Sequence, residues 1–355
     1  MTDVSIIIPC RNEAAYIGAC LDSVIANDFP ADRTEILVVD GMSADGTRDI
    51  LADHARRYPR LRVLDNPAGI TPAALNLGIR AATGGVILRV DAHARIEKDY
   101  VRRCLETLDR TGADNVGGII ITLPKTDAPM SRAIARALSH PFGVGRSYFR
   151  IRPTESRWVD TVFGGCYRRD VFDRIGLFNE KLRRGQDMEF NLRLKRAGGR
   201  TFLSADIVSY YYPPSNLRLF WRHTWNNGVW AILPFAHSAD MPVSWRHLAP
   251  LGSVLVLAAA VALATATAWP AARWILSGVL GTYALANLAA AAQVAVRERE
   301  TGCLWRMPIV FAMLHLAYGL GSLWGLVKTA ALLSERPSRR RSGSPHSGTA
   351  APDPP

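Results

Sequence analysis

The sequence lacks paired cysteine motifs, and it also lacks the glycine fingerprint of a dinucleotide-binding fold. Its cysteines are odd in number and scattered without Cys-x-x-Cys spacing: Cys10, Cys20, Cys104, Cys166 and Cys303. This pattern argues against a disulfide framework or a zinc site and fits a reducing compartment. No Gly-x-Gly-x-x-Gly follows the first predicted strand, which argues against a dinucleotide oxidoreductase. No basic module with interleaved aromatic residues is present either, so the net charge of +12 does not indicate a nucleic-acid partner.

Charged residues are missing from two long stretches of the C-terminal third. Residues 248–269 and 274–296 carry no charge, and each stretch is long enough to span a bilayer. A third apolar stretch, 308–333, is interrupted by His315 and Lys328. We therefore predict two to three transmembrane segments, with a lipid bilayer as a partner of the chain.

Basic residues near these segments indicate their orientation. The loop 297–306 is basic and is expected on the cytosolic side, together with the N-terminal part of the chain. A third full span would place the basic run 336–341 outside, so the third segment either re-enters the membrane or breaks the positive-inside tendency. The N-terminus, Met-Thr-Asp, runs directly into a predicted strand, and we expect no signal peptide.

These features divide the chain into four predicted parts. Residues 1–215 are expected to form a cytosolic α/β domain. Residues 216–247 mix tryptophans with arginines, which predicts an amphipathic interfacial helix followed by a linker. The apolar region 248–333 comes next, and the basic tail 334–355 is predicted to be disordered.

Short apolar runs alternate with helical patterns in the first part of the chain. The runs predicted as strands are 4–9, 36–39, 61–64 and 86–90, with further candidates at 116–122 and 207–212. This alternation predicts βαβ units and a mostly parallel central sheet. In such sheets, ligands bind at the carboxyl ends of the strands.

Polar clusters follow three of the predicted strands. They are Pro9-Cys10-Arg11-Asn12-Glu13, Asp40-Gly41 and Asp91-Ala92-His93. Because the carboxyl ends of parallel strands meet at one edge of a sheet, these clusters predict an active site at that edge.

The ordered set of motifs resembles family 2 glycosyltransferases of the GT-A fold. The motifs are the strand and Pro-x-x-Asn-Glu at 4–13, Val-Val-Asp-Gly-x-Ser-x-Asp-Gly-Thr at 38–47, Asn-Pro-x-Gly-x-Thr-Pro-Ala-Ala-Leu-Asn-x-Gly at 66–78, and Asp91-Ala92-His93. The third motif is similar to the bacterial succinoglycan-type branch, which builds exopolysaccharide on a polyprenyl-diphosphate carrier. The resemblance covers about residues 4–228.

The resemblance implies an inverting hexosyltransferase at the bacterial inner (plasma) membrane, with its catalytic domain in the cytosol. The implied donor is a nucleotide-sugar, in this family commonly a UDP-sugar, and the implied acceptor is a polyprenyl-linked glycan. A diphosphate leaving group builds up negative charge, which a divalent cation, Mg²⁺ or Mn²⁺, neutralises. Asp91 resembles the metal-side residue of the family's Asp-x-Asp motif. Its third position is His93 here, a residue that suits Mn²⁺ better than Mg²⁺.

The remaining site residues are also carried over from the resemblance. Asp40 would contact the nucleotide, with Pro9, Asn12 and Glu13 lining the same pocket; alternatively, Asn12 caps the next helix and Glu13 only favours its dipole. Direct displacement needs a base for the acceptor hydroxyl, and Asp187 occupies the position of the family's catalytic Asp. The other predicted acceptor-side residues are Gly165, Gln186, which replaces the usual Glu, and Arg222, which either holds a carrier phosphate or is a simple interfacial arginine.

Two alternatives remain open at this stage. A processive polysaccharide synthase would carry a Gln-x-x-Arg-Trp signature and more spans, and neither is found. An inactive transferase fold, serving as a membrane scaffold or nucleotide-sugar sensor, is supported only by the departures at His93 and Gln186.

Overall fold

The computed structural model describes residues 2–237, 247–267 and 269–334. Most of the predicted linker and nearly all of the predicted basic tail lie outside these ranges. The elements, in chain order, are β1 (Val4–Cys10), α1 (Ile17–Ile25), β2 (Thr34–Asp40), α2 (Thr47–Arg57), β3 (Leu61–Asp65), α3 (Thr71–Ala81), β4 (Val86–Arg89), β5 (Ala94–Ile96), α4 (Tyr100–Thr111), β6 (Asn115–Thr122), α5 (Pro129–Ala137), α6 (Pro141–Val144), α7 (Tyr148–Ile151), β7 (Arg157–Val159), β8 (Cys166–Arg168), α8 (Asp170–Ile175), α9 (Gln186–Arg196), β9 (Thr201–Tyr211), α10 (Leu217–Ile232), α11 (Ala249–Ala266), α12 (Pro270–Glu298) and α13 (Cys303–Ser334).

The strands form one sheet in the order β3-β2-β1-β4-β8-β6-β9-β5, with β7 also paired to β9. Strands β1 to β4 are mutually parallel, and β6 is parallel to β9. The three antiparallel strands β5, β7 and β8 have three residues each. The prediction of an α/β fold with a mostly parallel sheet is confirmed. The short strands were missed because three residues are too few to show a period.

Strand β1 is buried on both faces, which explains its continuous apolar run. Ile6 and Ile8 pack with Ile17 of α1 in one core cluster. Ile7 points to the other face, where it packs with Leu75 and Ile79 of α3. The sheet is therefore held between two layers of helices, and the polar residues that follow β1 are left at its edge.

The helices α11, α12 and α13 are each long and apolar enough to cross a membrane. They overlap the three predicted segments, although α13 begins five residues earlier than predicted. Helix α13 is continuous over 32 residues, so within this helix the chain does not turn back as a re-entrant segment would. Near its start, Met307 and Phe311 pack against Ile134 of α5. The polar His315 is also accounted for, since its Nε2 lies 2.8 Å from the carbonyl oxygen of Phe142.

Helix α10, predicted as an interfacial helix, packs closely along α13. A Cβ atom on Gly228 would lie 2.0 Å from the carbonyl oxygen of Tyr318. Ser322 donates a hydrogen bond to the carbonyl oxygen of Gly228 at 3.2 Å. This contact fixes the position of α10, whose other residues line the cavity described next. Its placement at a membrane surface stays a prediction.

Candidate active site

A polar cavity of about 880 Å³ lies at the carboxyl ends of β1 and β4 and is closed by the start of α9, the end of β9, and α10. It brings together seven of the ten predicted site residues: Pro9, Glu13, Asp91, His93, Gln186, Asp187 and Arg222. Residues more than 170 positions apart in the chain therefore meet at the predicted edge of the sheet.

Asp91 follows β4 and is paired with a buried arginine from the same strand. The Nε and Nη2 atoms of Arg89 each lie 2.9 Å from Asp91 Oδ1. Burial alone would raise the pKa of Asp91, but the charges of Arg89 and His93 outweigh burial and lower it. The pKa of Arg89 is raised, because Asp91 and Asp187 outweigh the burial that opposes its charge. Arg89 thus connects the two predicted functional carboxylates electrostatically.

His93 is oriented by a carboxylate from the end of β1. Its Nδ1 atom lies 3.1 Å from Oε1 of Glu13. Burial favours the neutral imidazole, but Glu13 and Asp91 outweigh it and raise the pKa of His93. Metal-binding histidines commonly bond a carboxylate in this way through the nitrogen that does not bind the metal. Glu13 therefore acts on His93 rather than simply favouring the dipole of α1.

The residues present fit a divalent cation that is shared with a diphosphate. No group of three or more His, Cys, Asp or Glu side chains arranged to hold a metal occurs in the described ranges. Mg²⁺ and similar cations, however, commonly take one or two protein ligands and complete their coordination with substrate phosphates and water. Asp91 and His93 both line the cavity and supply an oxygen and a nitrogen donor.

Asp187 lies in the first turn of α9 with its side chain at the cavity. The N-cap position belongs to Gly185, which has a φ of 74°. Asp187 Oδ1 accepts a hydrogen bond from the backbone N–H of Met188 at 3.0 Å. Asp187 is therefore not the N-cap of α9. Its neighbour Gln186 is only 5% exposed, and the Oε1 atom of this amide has no hydrogen-bond partner among the described residues.

Three predicted site residues do not line this cavity. Asp40 is fully buried; it accepts hydrogen bonds from Ser43 and lies 2.9 Å from Arg48 Nη1, so its carboxylate holds the loop after β2, and its contact with a nucleotide stays a prediction. Asn12 accepts a hydrogen bond from the N–H of Ala44 at 3.0 Å. It does not cap α1, whose N-cap position is Tyr16.

Gly165 lies outside the cavity and supports Arg89, which lines it. Its carbonyl oxygen accepts a hydrogen bond from the N–H of Arg89. With a φ of 92°, and with a Cβ that would lie 2.5 Å from the ring of Tyr167, the position favours glycine. Gly165 therefore holds the backbone of Arg89, and its contact with the acceptor stays a prediction.

Several cavity residues were not predicted from the sequence. Arg89 could have been found, because it is a charge inside a buried apolar strand immediately before Asp91. Arg184 could also have been found, because it lies three residues before Asp187 in the same polar segment. Arg150 and His223 carry no motif, and the fold alone brings them to the cavity.

A second cavity of about 630 Å³ adjoins the first and reaches the apolar helices. Its walls include Trp230 of α10, Tyr283 of α12, and Leu314 and Tyr318 of α13. The residues that line both cavities are Arg150, Phe163, Arg184, Gly185, Asp187, His223 and Asn227. Asp187 therefore lies where the polar cavity meets the cavity between the apolar helices.

The fold is that of a GT-A glycosyltransferase. It resembles the mannosyltransferase PcManGT of Pyrobaculum calidifontis, solved in complex with GDP-Man and Mn²⁺, with a TM-score of 0.58 and 22% identity. The match covers 90% of this chain and 87% of that one. Residues 5–176 match the model of "Glycosyl transferase family 2", and this domain identifies the chain as a glycosyltransferase.

Two relatives match nearly the whole chain. The "Dolichyl N-acetyl-alpha-D-glucosaminyl phosphate 3-beta-D-2,3-diacetamido-2,3-dideoxy-beta-D-glucuronosyltransferase" of Methanococcus voltae is 29% identical, over 92% of this chain and 98% of the relative. "Succinoglycan biosynthesis protein ExoA" of Rhizobium meliloti is 29% identical, over 86% of this chain and 94% of the relative. The resemblance inferred from the motifs is confirmed.

Proposed function

We propose that this chain is a membrane-anchored, inverting glycosyltransferase that moves a sugar from a UDP-sugar to a polyprenyl-diphosphate-linked glycan in exopolysaccharide biosynthesis. One observation carries the proposal: Asp187 lies where the polar cavity of Asp91 and His93 meets the cavity between the apolar helices. A carboxylate in this position faces a polar donor on one side and a lipid-borne acceptor on the other.

The residues have separate roles in this reaction. Asp187 takes the proton from the acceptor hydroxyl, whose oxygen then attacks the anomeric carbon of the donor sugar. Asp91 and His93 hold a divalent cation, Mg²⁺ or Mn²⁺, which when bound neutralises negative charge on the departing nucleoside diphosphate. Arg89 holds Asp91 in place from the buried strand, and Glu13 orients the His93 ring.

The known relatives support this choice of acceptor. The name of the Methanococcus relative specifies a dolichyl phosphate-linked sugar, and that of the Rhizobium relative specifies succinoglycan biosynthesis. Three helices of sufficient length and apolarity support an anchor. With this anchor in the bacterial plasma membrane, the basic loop between α12 and α13 favours a cytosolic catalytic domain.

The decisive experiment measures nucleoside diphosphate release by the full chain in detergent. A panel of UDP- and GDP-sugars is offered with polyprenyl-diphosphate-linked glycans, in Mn²⁺, in Mg²⁺ and in EDTA. We expect cation-dependent release with one donor. Asp187→Asn should lower kcat about 1,000-fold while UDP affinity is retained, because only the base is lost.

Asp53→Asn is the control, since Asp53 is a half-exposed residue on α2 that pairs with neighbouring arginines. This variant should turn over as the wild type does. Donor binding without release for every acceptor, or full activity of Asp187→Asn, would contradict the proposed function.

A further inference from the structure

We propose that Arg150, Arg184 and His223 form the binding site for the diphosphate group of the lipid-linked acceptor, with the isoprenoid chain in the second cavity. This inference rests on the proposed function and assigns its acceptor subsite. It also moves the predicted phosphate contact away from Arg222, which is exposed and lines only the polar cavity.

The three side chains come from three different elements. Arg150 belongs to α7, Arg184 immediately precedes Gly185 and α9, and His223 belongs to α10. All three line both cavities, as Asp187 does. A group bound by them would therefore lie beside the proposed base and at the entrance to the space between the apolar helices.

The two arginines lack an anionic partner. Within the described ranges, no carboxylate oxygen lies within 4.0 Å of either guanidinium, whereas the cavity residue Arg89 is paired with Asp91 at 2.9 Å. The Nη1 atom of Arg150 is buried without any hydrogen-bond partner among the described residues. Arg184 Nη1 donates to Asn227 Oδ1 at 2.8 Å, which fixes its direction. Buried charged donors without partners are costly, and an anion with several acceptor oxygens would satisfy them.

The pKa of His223 reflects the same excess of positive charge. Burial and the nearby charges of Arg184 and Arg150 lower the pKa of His223 to about 4. Burial also lowers the pKa values of Arg150 and Arg184 themselves. The two arginines thus place positive charge where solvent screening is weak, which strengthens their attraction for a diphosphate.

The diphosphate has two sources, the donor nucleotide and the lipid carrier, and the structure favours the carrier. The proposed cation ligands Asp91 and His93 line only the polar cavity. The arginine cluster adjoins the apolar walls as well, including Trp230 and Leu314. A polyprenyl diphosphate combines an anionic head with an apolar tail, and a nucleotide-sugar has no such tail.

Binding of a short probe, geranylgeranyl diphosphate, to the full chain in detergent tests the assignment. Geranylgeraniol and inorganic pyrophosphate serve as parallel probes that lack the head or the tail, and UDP with Mn²⁺ reports the donor site. We expect Arg184→Gln and Arg150→Gln to weaken binding of geranylgeranyl diphosphate about tenfold or more, with UDP affinity unchanged. Arg218→Gln, an exposed position on α10 outside both cavities, is the matched control and should bind as the wild type does.

Three results would overturn the inference. Equal loss of UDP affinity would assign the arginines to the donor diphosphate. If the wild type bound geranylgeraniol or pyrophosphate as tightly as geranylgeranyl diphosphate, the diphosphate head and the isoprenoid tail would not both be recognised. Unchanged binding by both variants would exclude the cluster. The binding assay needs no turnover. If the protein bound geranylgeranyl diphosphate as expected but transferred no sugar, the proposed function would be contradicted while the assignment of the binding site would stand.

Discussion

The two sides of the active site differ in how their charges are balanced. On the donor side, built from β1 to β4, the charged groups at the proposed cation site are already paired: Arg89 with Asp91, and Glu13 with His93. On the acceptor side, built from α7, α9 and α10, Arg150 and Arg184 have no carboxylate within ion-pairing distance among the described residues.

This difference indicates two kinds of preorganisation. The paired donor side can hold its geometry without a ligand, and it offers a carboxylate and an imidazole to a cation. The acceptor side carries positive charge that no carboxylate neutralises, and the binding of an anion balances it. Substitutions on one side should therefore leave binding on the other side intact, and the predictions below test this separation.

Among the substitutions that test this separation of the two sides, the largest effect is expected for Asp91→Asn. This change removes the anionic cation ligand and leaves the buried Arg89 without its partner. Turnover should fall on the order of 100-fold or more, and UDP binding in Mn²⁺ should fall to its level in EDTA. Binding of geranylgeranyl diphosphate should not change. Titration of UDP with and without Mn²⁺ checks this, and a variant that still binds UDP more tightly in Mn²⁺ would remove Asp91 from the cation site.

A smaller effect is expected for Glu13→Gln. The glutamine side chain can still accept a hydrogen bond from His93, but it lacks the negative charge that helps to orient the imidazole. The Mn²⁺ concentration for half-maximal activity should rise about 10- to 100-fold, the usual effect of losing a partner of a metal ligand. Activity at saturating Mn²⁺ should recover. Glu106→Gln, an exposed change on α4, is the control, and a loss that saturating Mn²⁺ does not correct would contradict the role of Glu13.

The donor side was largely predictable from sequence, because its elements are local and regular. The apolar runs of β1, β2 and β4, each followed at once by polar residues, predict both the sheet and its active edge. The direction in which those polar side chains turn was not predictable. Asp40 and Asn12 do not line the cavity, because their side-chain oxygens accept hydrogen bonds from residues after β2. Ser43 and Arg48 donate to Asp40, and Ala44 donates to Asn12.

On the acceptor side, the cavity residues predicted from the sequence were Arg222 and, through a motif that resembled the family, Gln186 and Asp187. Arg150 belongs to a helix of four residues, too short to show a period, and it reaches the site through long-range packing. The sequence of α10 predicts an amphipathic helix, but tertiary contact with α13 decides which residues face the cavity. Sites assembled by helix packing across distant segments leave little local signal.

The smallest effect is expected for Gly228→Ala, which tests whether helix packing maintains the acceptor side. The new Cβ would lie 2.0 Å from a backbone oxygen of α13, so α10 must shift, at a cost of about 1–3 kcal/mol of stability. We expect a lower Tm and weaker geranylgeranyl diphosphate binding, with UDP affinity in Mn²⁺ unchanged. Gly252→Ala on α11 is the matched control, because its Cβ meets nothing within 4 Å. Equal losses of donor and acceptor binding in Gly228→Ala would show that the two sides are not independent.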